Sequence, residues 1–182
     1  MFNKGDLVSY KWRGGSHGRG WNKHAHFYHY AGIVEYADAE QVIVSYASFA
    51  KDLSEYTEHT AKFTLRKSGN WIEQGESEDP KGRNILSHYD INGIMDTTSI
   101  DETLVYAAKR LNLDLVKLVK TNIQNEITRC EEYIQTVQAD ELLDDDYKQQ
   151  VAEWTGRDIQ QTQQKLQDLT NPGFLKRMEA VA

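Results

Sequence analysis

Between Tyr10 and Tyr30 the chain reads Tyr-Lys-Trp-Arg-Gly-Gly-Ser-His-Gly-Arg-Gly-Trp-Asn-Lys-His-Ala-His-Phe-Tyr-His-Tyr. This passage holds four cations (Lys11, Arg13, Arg19 and Lys23), four histidines and six aromatic residues, while the nearest carboxylates are Asp6 and Glu35. Cations attract phosphate, flat rings stack on bases and glycines admit close backbone approach, so the mixture suits nucleic acid. We expect Lys11, Trp12, Arg13, Arg19, Trp21 and Lys23 to contact phosphates and bases, with Arg66 and Lys67 beside a later turn extending the same positive face. The blander reading has Trp12, Tyr28 and Tyr30 filling a small core around a glycine-rich loop, but core filling does not account for the missing acid.

Other chemistry is weaker. His24, His26 and His29 could offer imidazoles to a transition metal, but no cysteine or carboxylate accompanies them and alternate strand positions would set His29 apart from the other two. No metal or other cofactor is expected. The sequence contains no P-loop, no G-x-S-x-G and no HExxH, and its single Cys130 falls at an apolar helical position with no base nearby, which reads as a buried thiol. We therefore expect a binding protein and not an enzyme.

Two periodicities organise the chain. Up to about residue 75, short alternating or β-branched runs are separated by Gly, Ser, Asp and Asn, which predicts about five strands in a small barrel. The runs Asp6–Trp12, Tyr30–Tyr36, Gln41–Tyr46, Phe63–Arg66 and Trp71–Glu73 are the candidates, with Lys67–Asn70 as a tight turn. Residues 76–98 are polar and marked by glycine, and read as a linker with one short ordered piece. From residue 99 to 182 the pattern is helical. Ser99 and Glu102 have the spacing of a capping box, and Val116, Val119, Ile123, Ile127, Cys130, Ile134 and Val137 form a seam at steps of three and four. Tyr147, Val151, Trp154, Asp158 or Ile159, Thr162, Leu166 and Leu169 suggest a second seam, weakened by Gly156 and Asp158, and the two helices should pair antiparallel. The predicted class is α+β: an SH3/Tudor/KOW-like barrel over 1–75, the linker 76–98, and an α-helical hairpin over 99–182.

Lys4-Gly5-Asp6-Leu7-Val8-Ser9-Tyr10, followed by Ala31-Gly32-Ile33-Val34-Glu35, resembles the opening of KOW and Tudor-like barrels, in which a G-D-x-V strand precedes a G-x-V strand. The resemblance covers about 75 of the 182 residues and departs from those families through a long loop, Gly14 to Phe27. It implies a module that binds nucleic acid or protein, without enzymatic activity. A cage of rings for a methylated cation, built from residues such as Tyr10, Trp12 and Tyr36, is a further option that it raises.

The formal net charge of -7 is uneven: residues 1–83 balance 11 Lys/Arg against 11 Asp/Glu, whereas residues 84–182 carry 10 against 17. The acid gathers toward the hairpin tip, at Glu131, Glu132, Asp140, Glu141 and Asp144–Asp146. The leading expectation is a transcription- or genome-associated accessory protein whose partner is nucleic acid, DNA ahead of RNA, with the hairpin serving a homodimer or a protein partner. The competing expectation is an interaction or inhibitor module of phage kind, acting through the acidic hairpin on a host complex. No run approaches the roughly 20 apolar residues of a membrane span, so the expected location is the cytoplasm, with no membrane contact.

Overall fold

A computed structural model describes residues 1–17, 24–50, 53, 55–76 and 85–181; for 11–17 and 24–29 the description covers the backbone only. The chain forms two compact units, one of Met1–Tyr89, Asp101–Leu113 and Ala180–Ala182, the other of Asp90–Ile100 and Asp114–Glu179. Among the described residues, no helix is long and apolar enough to cross a membrane.

The first unit is an antiparallel sheet of six described strands: β1 (Leu7–His17), β2 (His24–Ala37), β3 (Gln41–Phe49), β4 (Tyr56–Leu65), β5 (Trp71–Glu73) and β6 (Leu86–His88). Their order is β5-β4-β3-β2-β1-β6, and a single bridge between Ile72 and Ile85 draws the two edges together into a nearly closed barrel. Closure hides edge N–H and C=O groups that would otherwise invite another chain. Phe2 fills the seam, its ring 6.1 Å from Trp71 on β5 and 4.5 Å from His88 on β6. The interior holds Val8, Tyr10, Val34, Val42, Val44, Ala61, Phe63 and Leu86, and β-branched residues at alternate positions are what packs well on a pleated face. The two halves of the G-D-x-V and G-x-V pattern lie side by side, with Leu7 opposite Ile33 and Val8 opposite Gly32. Gly69, at φ +88°, makes the predicted β4–β5 turn, where a side chain would be strained.

Gly32 has a different reason. A Cβ there would meet Val44 Cγ1 at 2.5 Å and the Ser45 carbonyl oxygen at 3.0 Å, so only glycine lets β2 lie against β3. The β2–β3 ladder stops at Gly32 opposite Tyr46, and the next free amide, Ala31 N–H, donates to the Thr103 hydroxyl at 2.8 Å. Thr103 belongs to helix α1 (Glu102–Arg110), which packs against β2 and β3. Its hydroxyl donates in turn to Asp101 at 2.7 Å, and Asp101 accepts from Leu104 N–H as the helix N-cap. Asp101 caps α1 in place of the expected Ser99, which lies in a 3-10 turn held by Asp96: a carboxylate one residue before the helix reaches the third amide directly. At the other end Asn112 takes φ +55°, and the N–H groups of Asn112 and Leu113 bond the carbonyls of Lys109 and Ala108. That pairing closes the helix, and asparagine tolerates the left-handed conformation it needs.

Arg110 in the last turn of α1 reaches Glu35 at 2.9 Å and the Ser45 hydroxyl at 3.0 Å, while Ser45 donates to the same Glu35 oxygen at 2.6 Å. Glu35 sits at the register shift between Val34 and Tyr36, so the bulge presents its carboxylate to the helix. Tyr106 donates to Glu58, and its ring joins those of Tyr56 and Phe49. α1 is thus fixed to the outside of the barrel by polar contacts at both ends.

The second unit pairs α2 (Leu115–Ala139) with α3 (Asp145–Asp168), joined by a short turn that makes them antiparallel, and adds α4 (Pro172–Ala180). Asp144 caps α3 by accepting from Tyr147 N–H, and Asp145 and Asp146 lie in its first turn, where the helix dipole favours negative charge. Val119, Ile123, Ile127 and Val137 are buried along α2, as the seam predicts, while Val116, Cys130 and Ile134 are half-buried at its margin and Leu115, outside the expected seam, is buried in place of Val116. On α3 the seam differs from the expected one: Val151 and Thr155 are buried, whereas Trp154 is 55% exposed and Tyr147 is also exposed. Counting four residues from Val151 instead of three carries the stripe through Thr155 and Ile159, and the large indole is left on the outer face. Asn122 donates to the carbonyls of Ile91 and Ile94, and Arg177 to those of Thr97 and Ile100, which ties residues 90–100 into this unit.

Candidate nucleic-acid interface

The described ends of the expected loop from Gly14 to Phe27 form a paired ribbon. Beyond the last barrel pair, Tyr10 opposite Tyr30, the ladder continues with Lys11 opposite His29, Trp12 opposite Tyr28 and Arg13 opposite Phe27. After a register shift at Gly14 and Gly15 it resumes with Ser16 opposite Ala25 and His17 opposite His24. The sequence hid this because glycine and histidine are poor strand signals, whereas an antiparallel ladder needs only backbone groups. β3 leaves β2 at Gly32, so the ribbon runs on past the β2–β3 ladder.

Lys11, Trp12 and Arg13 therefore lie on one arm of the ribbon, and Arg19, Trp21 and Lys23, in its connecting segment, fall outside the described residues. The side chains of His24, His26 and His29 fall outside them too; among the described residues no group of three His, Cys, Asp or Glu side chains is placed to hold a metal. Arg66 and Lys67 are exposed, but not where expected. They follow β4, at the barrel end that carries the β2–β3 turn, where Leu65 N–H bonds the Glu40 carbonyl, and Arg66 donates to the Glu76 carbonyl at 3.2 Å. The ribbon leaves from the opposite end, because β1 and β4 run in opposite directions, so these two cations do not extend one positive face with Lys11 and Arg13.

At the ribbon's root lies a pocket the sequence did not announce. Tyr10, Tyr30, Tyr46, Ser48, His59 and Glu73, from five different strands, line a cavity of about 290 Å³. The Tyr10 hydroxyl donates to Glu73 at 2.5 Å, the Tyr30 ring lies 5.9 Å from Tyr10 and 5.0 Å from Tyr46, and the Tyr46 ring stacks 5.1 Å from His59. Ser48 and His59 are hydrogen-bonded at 2.7 Å. Among the described residues no lysine or arginine is in the lining, and Glu73 gives the pocket an anionic floor within an aromatic wall. Burial pushes the Tyr10 phenol far above the ordinary tyrosine range, and its bond to Glu73 pushes in the same direction; burial and then the Glu73 charge raise Tyr46 likewise. Each phenol stays protonated and able to donate at neutral pH.

Comparison with protein-family models, curated proteins and solved structures finds no match.

The ring cage considered from the sequence does not form from the residues named for it. Tyr36 is 46% exposed and spends its hydroxyl on Asp38 at 2.8 Å, at the opposite end of β2, while Tyr30 and Tyr46 line the pocket with Tyr10. Cys130 is partly covered by its helical neighbours; burial raises its thiol, and the nearby carboxylates of Glu126, Asp158 and Glu131 raise it further, the reverse of an activated nucleophile.

Proposed function

We propose that the chain is a nucleic-acid-binding accessory protein of transcription or genome maintenance, using the β1–β2 ribbon as its contact surface. One observation carries the reading: a paired ribbon of residues 10–17 and 24–30, lying within a stretch of sequence, Tyr10 to Tyr30, that contains four cations and no carboxylate. A two-stranded ribbon is narrow enough to enter a groove or lie along a single strand, and Lys and Arg on it would release counterions from the phosphates. Kinship with KOW or Tudor-like modules belongs to this reading, supported by the paired Gly5–Val8 and Gly32–Val34 segments.

Filter binding to duplex and single-stranded DNA tests it. Replacing Arg13→Ala together with Arg19→Ala should weaken retention of every sequence about equally, and unchanged retention removes the ribbon as the site.

A second reading follows from the helical unit. Leu142 at the tip is 95% exposed among Asp140, Glu141 and Asp144–Asp146, and Tyr147 and Trp154 stand exposed seven residues apart on α3. Such a surface fits a basic protein partner, with the chain as an interaction or inhibitor module. Capture from a nuclease-treated lysate separates the two: a partner that survives nuclease favours the hairpin, and loss of all partners favours the ribbon.

A further inference from the structure

We infer that the tyrosine pocket at the ribbon's root receives one unstacked nucleobase of a bound single strand, and that Glu73 selects for guanine. The inference rests on the nucleic-acid reading and adds to it where the base goes and how it is read.

Three observations narrow the occupant. The first is position: Tyr10 opposite Tyr30 is the pair immediately before Lys11 opposite His29, so a strand held along the ribbon by its phosphates has its bases within reach of the pocket. The second is charge: the Glu73 carboxylate, with no lysine or arginine beside it among the described residues of the lining, disfavours a phosphate, and the cavity, about 290 Å³, is far larger than the ~30 Å³ share of one water. The third is the polar rim. Besides ring faces the pocket offers a carboxylate, the hydrogen-bonded Ser48–His59 pair and phenol oxygens. A methylated ammonium ion has little or no hydrogen-bonding capacity to match these groups, whereas a base combines a π-face for Tyr30 or Tyr46 with a donor edge for Glu73.

Preference among bases follows from counting donors. A carboxylate has about four lone-pair sites, and among the described residues only the Tyr10 hydroxyl donates to Glu73. Guanine presents two adjacent donors on its Watson–Crick edge, the ring N1–H and the exocyclic N2 amino group, and both can reach one carboxylate. Adenine and cytosine each present one amino group there, and thymine one ring N–H. A two-bond contact of this kind discriminates by about tenfold or more over a one-bond contact.

Fluorescence anisotropy with labelled pentathymidylate, and with the same oligomer carrying a central G, A or C, tests this at one fixed salt concentration. The expected result is binding of the G oligomer about tenfold tighter than the T oligomer. Glu73→Gln should erase that preference while still binding the T oligomer. Since this substitution touches the bond to Tyr10, Tyr46→Ala is the second variant, chosen because its ring is half-buried and makes no bond to Glu73. It should weaken all four oligomers about tenfold through lost stacking. Equal binding of the four oligomers by the unsubstituted chain overturns the pocket assignment and leaves the ribbon reading standing. A G preference that survives Glu73→Gln overturns it too. So does displacement of the G oligomer by tetramethylammonium chloride beyond the effect of equal sodium chloride, which gives the pocket to a compact cation. Failure of every oligomer to bind removes the ribbon reading itself.

Discussion

Tyr10 on β1 donates its phenol proton to Glu73 on β5 at 2.5 Å, joining two strands that are 63 residues apart in sequence and not neighbours in the sheet. The bond crosses the barrel's interior beneath the ribbon's root. It therefore does two jobs, holding β5 in the wall and fixing the carboxylate at the pocket floor.

Tyr10→Phe keeps the ring, which is 3% exposed and packs 5.2 Å from Phe63, but removes the donor. A hydrogen bond to a charged acceptor contributes about 1.5–3 kcal/mol, so the variant should lose about 2 kcal/mol in urea denaturation with an unchanged m-value. A loss under about 0.5 kcal/mol would mean that solvent replaces the phenol, and Glu73 is not anchored as described.

Stability should fall at alkaline pH. Burial raises Tyr10, Tyr46, Tyr89 and Tyr106, with further upward pushes from Glu73 on the first two, Asp101 on the third and Glu58 on the fourth, and Tyr89 and Tyr106 are pushed up to about 12. An unfolded tyrosine ionises near pH 10, so above about pH 10 the unfolded chain releases protons that the folded chain keeps. The stabilisation is complete below that pH and is lost as pH rises through the folded values. Urea midpoints near pH 8, 10 and 11 should decline steadily across the last step, and a flat series contradicts the burial of these phenols.

Gly32→Ala tests the point where β2 parts from β3. The added methyl would lie 2.5 Å from Val44 Cγ1 and 3.0 Å from a backbone oxygen, and neither neighbour can withdraw without moving the core face of β3. Overpacking of this kind costs about 1–3 kcal/mol. Thermal melting should drop by several degrees, and an unchanged melting temperature would show that the ladder has slack there.

The helical seam has a paired test. Ile123 is fully buried on α2, so Ile123→Ala should cost about 2–5 kcal/mol, whereas Trp154→Ala, on the exposed face of α3, should cost under about 0.5 kcal/mol. If the tryptophan substitution proved as damaging as the isoleucine one, α3 would be packed through Trp154 and not Thr155.

Much of this fold could be read from residue patterns. The Gly5–Val8 opening, the turn at Gly69 and the α2 seam all announce themselves, because turn chemistry and helical periodicity are local. β6 does not: Leu86–His88 is only three residues long, and it is a strand because β1 offers an open edge, not because of its own composition. Trp154 was misplaced because steps of three and four from Val151 both satisfy a helical stripe, and only packing decides between them. The pocket was invisible for a deeper reason. Tyr10, Tyr30, Tyr46 and Glu73 share no spacing, and sheet topology alone brings them together.

The most direct test of the ribbon's role is the salt dependence of single-strand DNA binding. If Lys11, Arg13, Arg19 and Lys23 each release one counterion, the slope of log K against log salt should be about -3. A slope near zero, or no binding at low salt, would contradict a phosphate-binding ribbon.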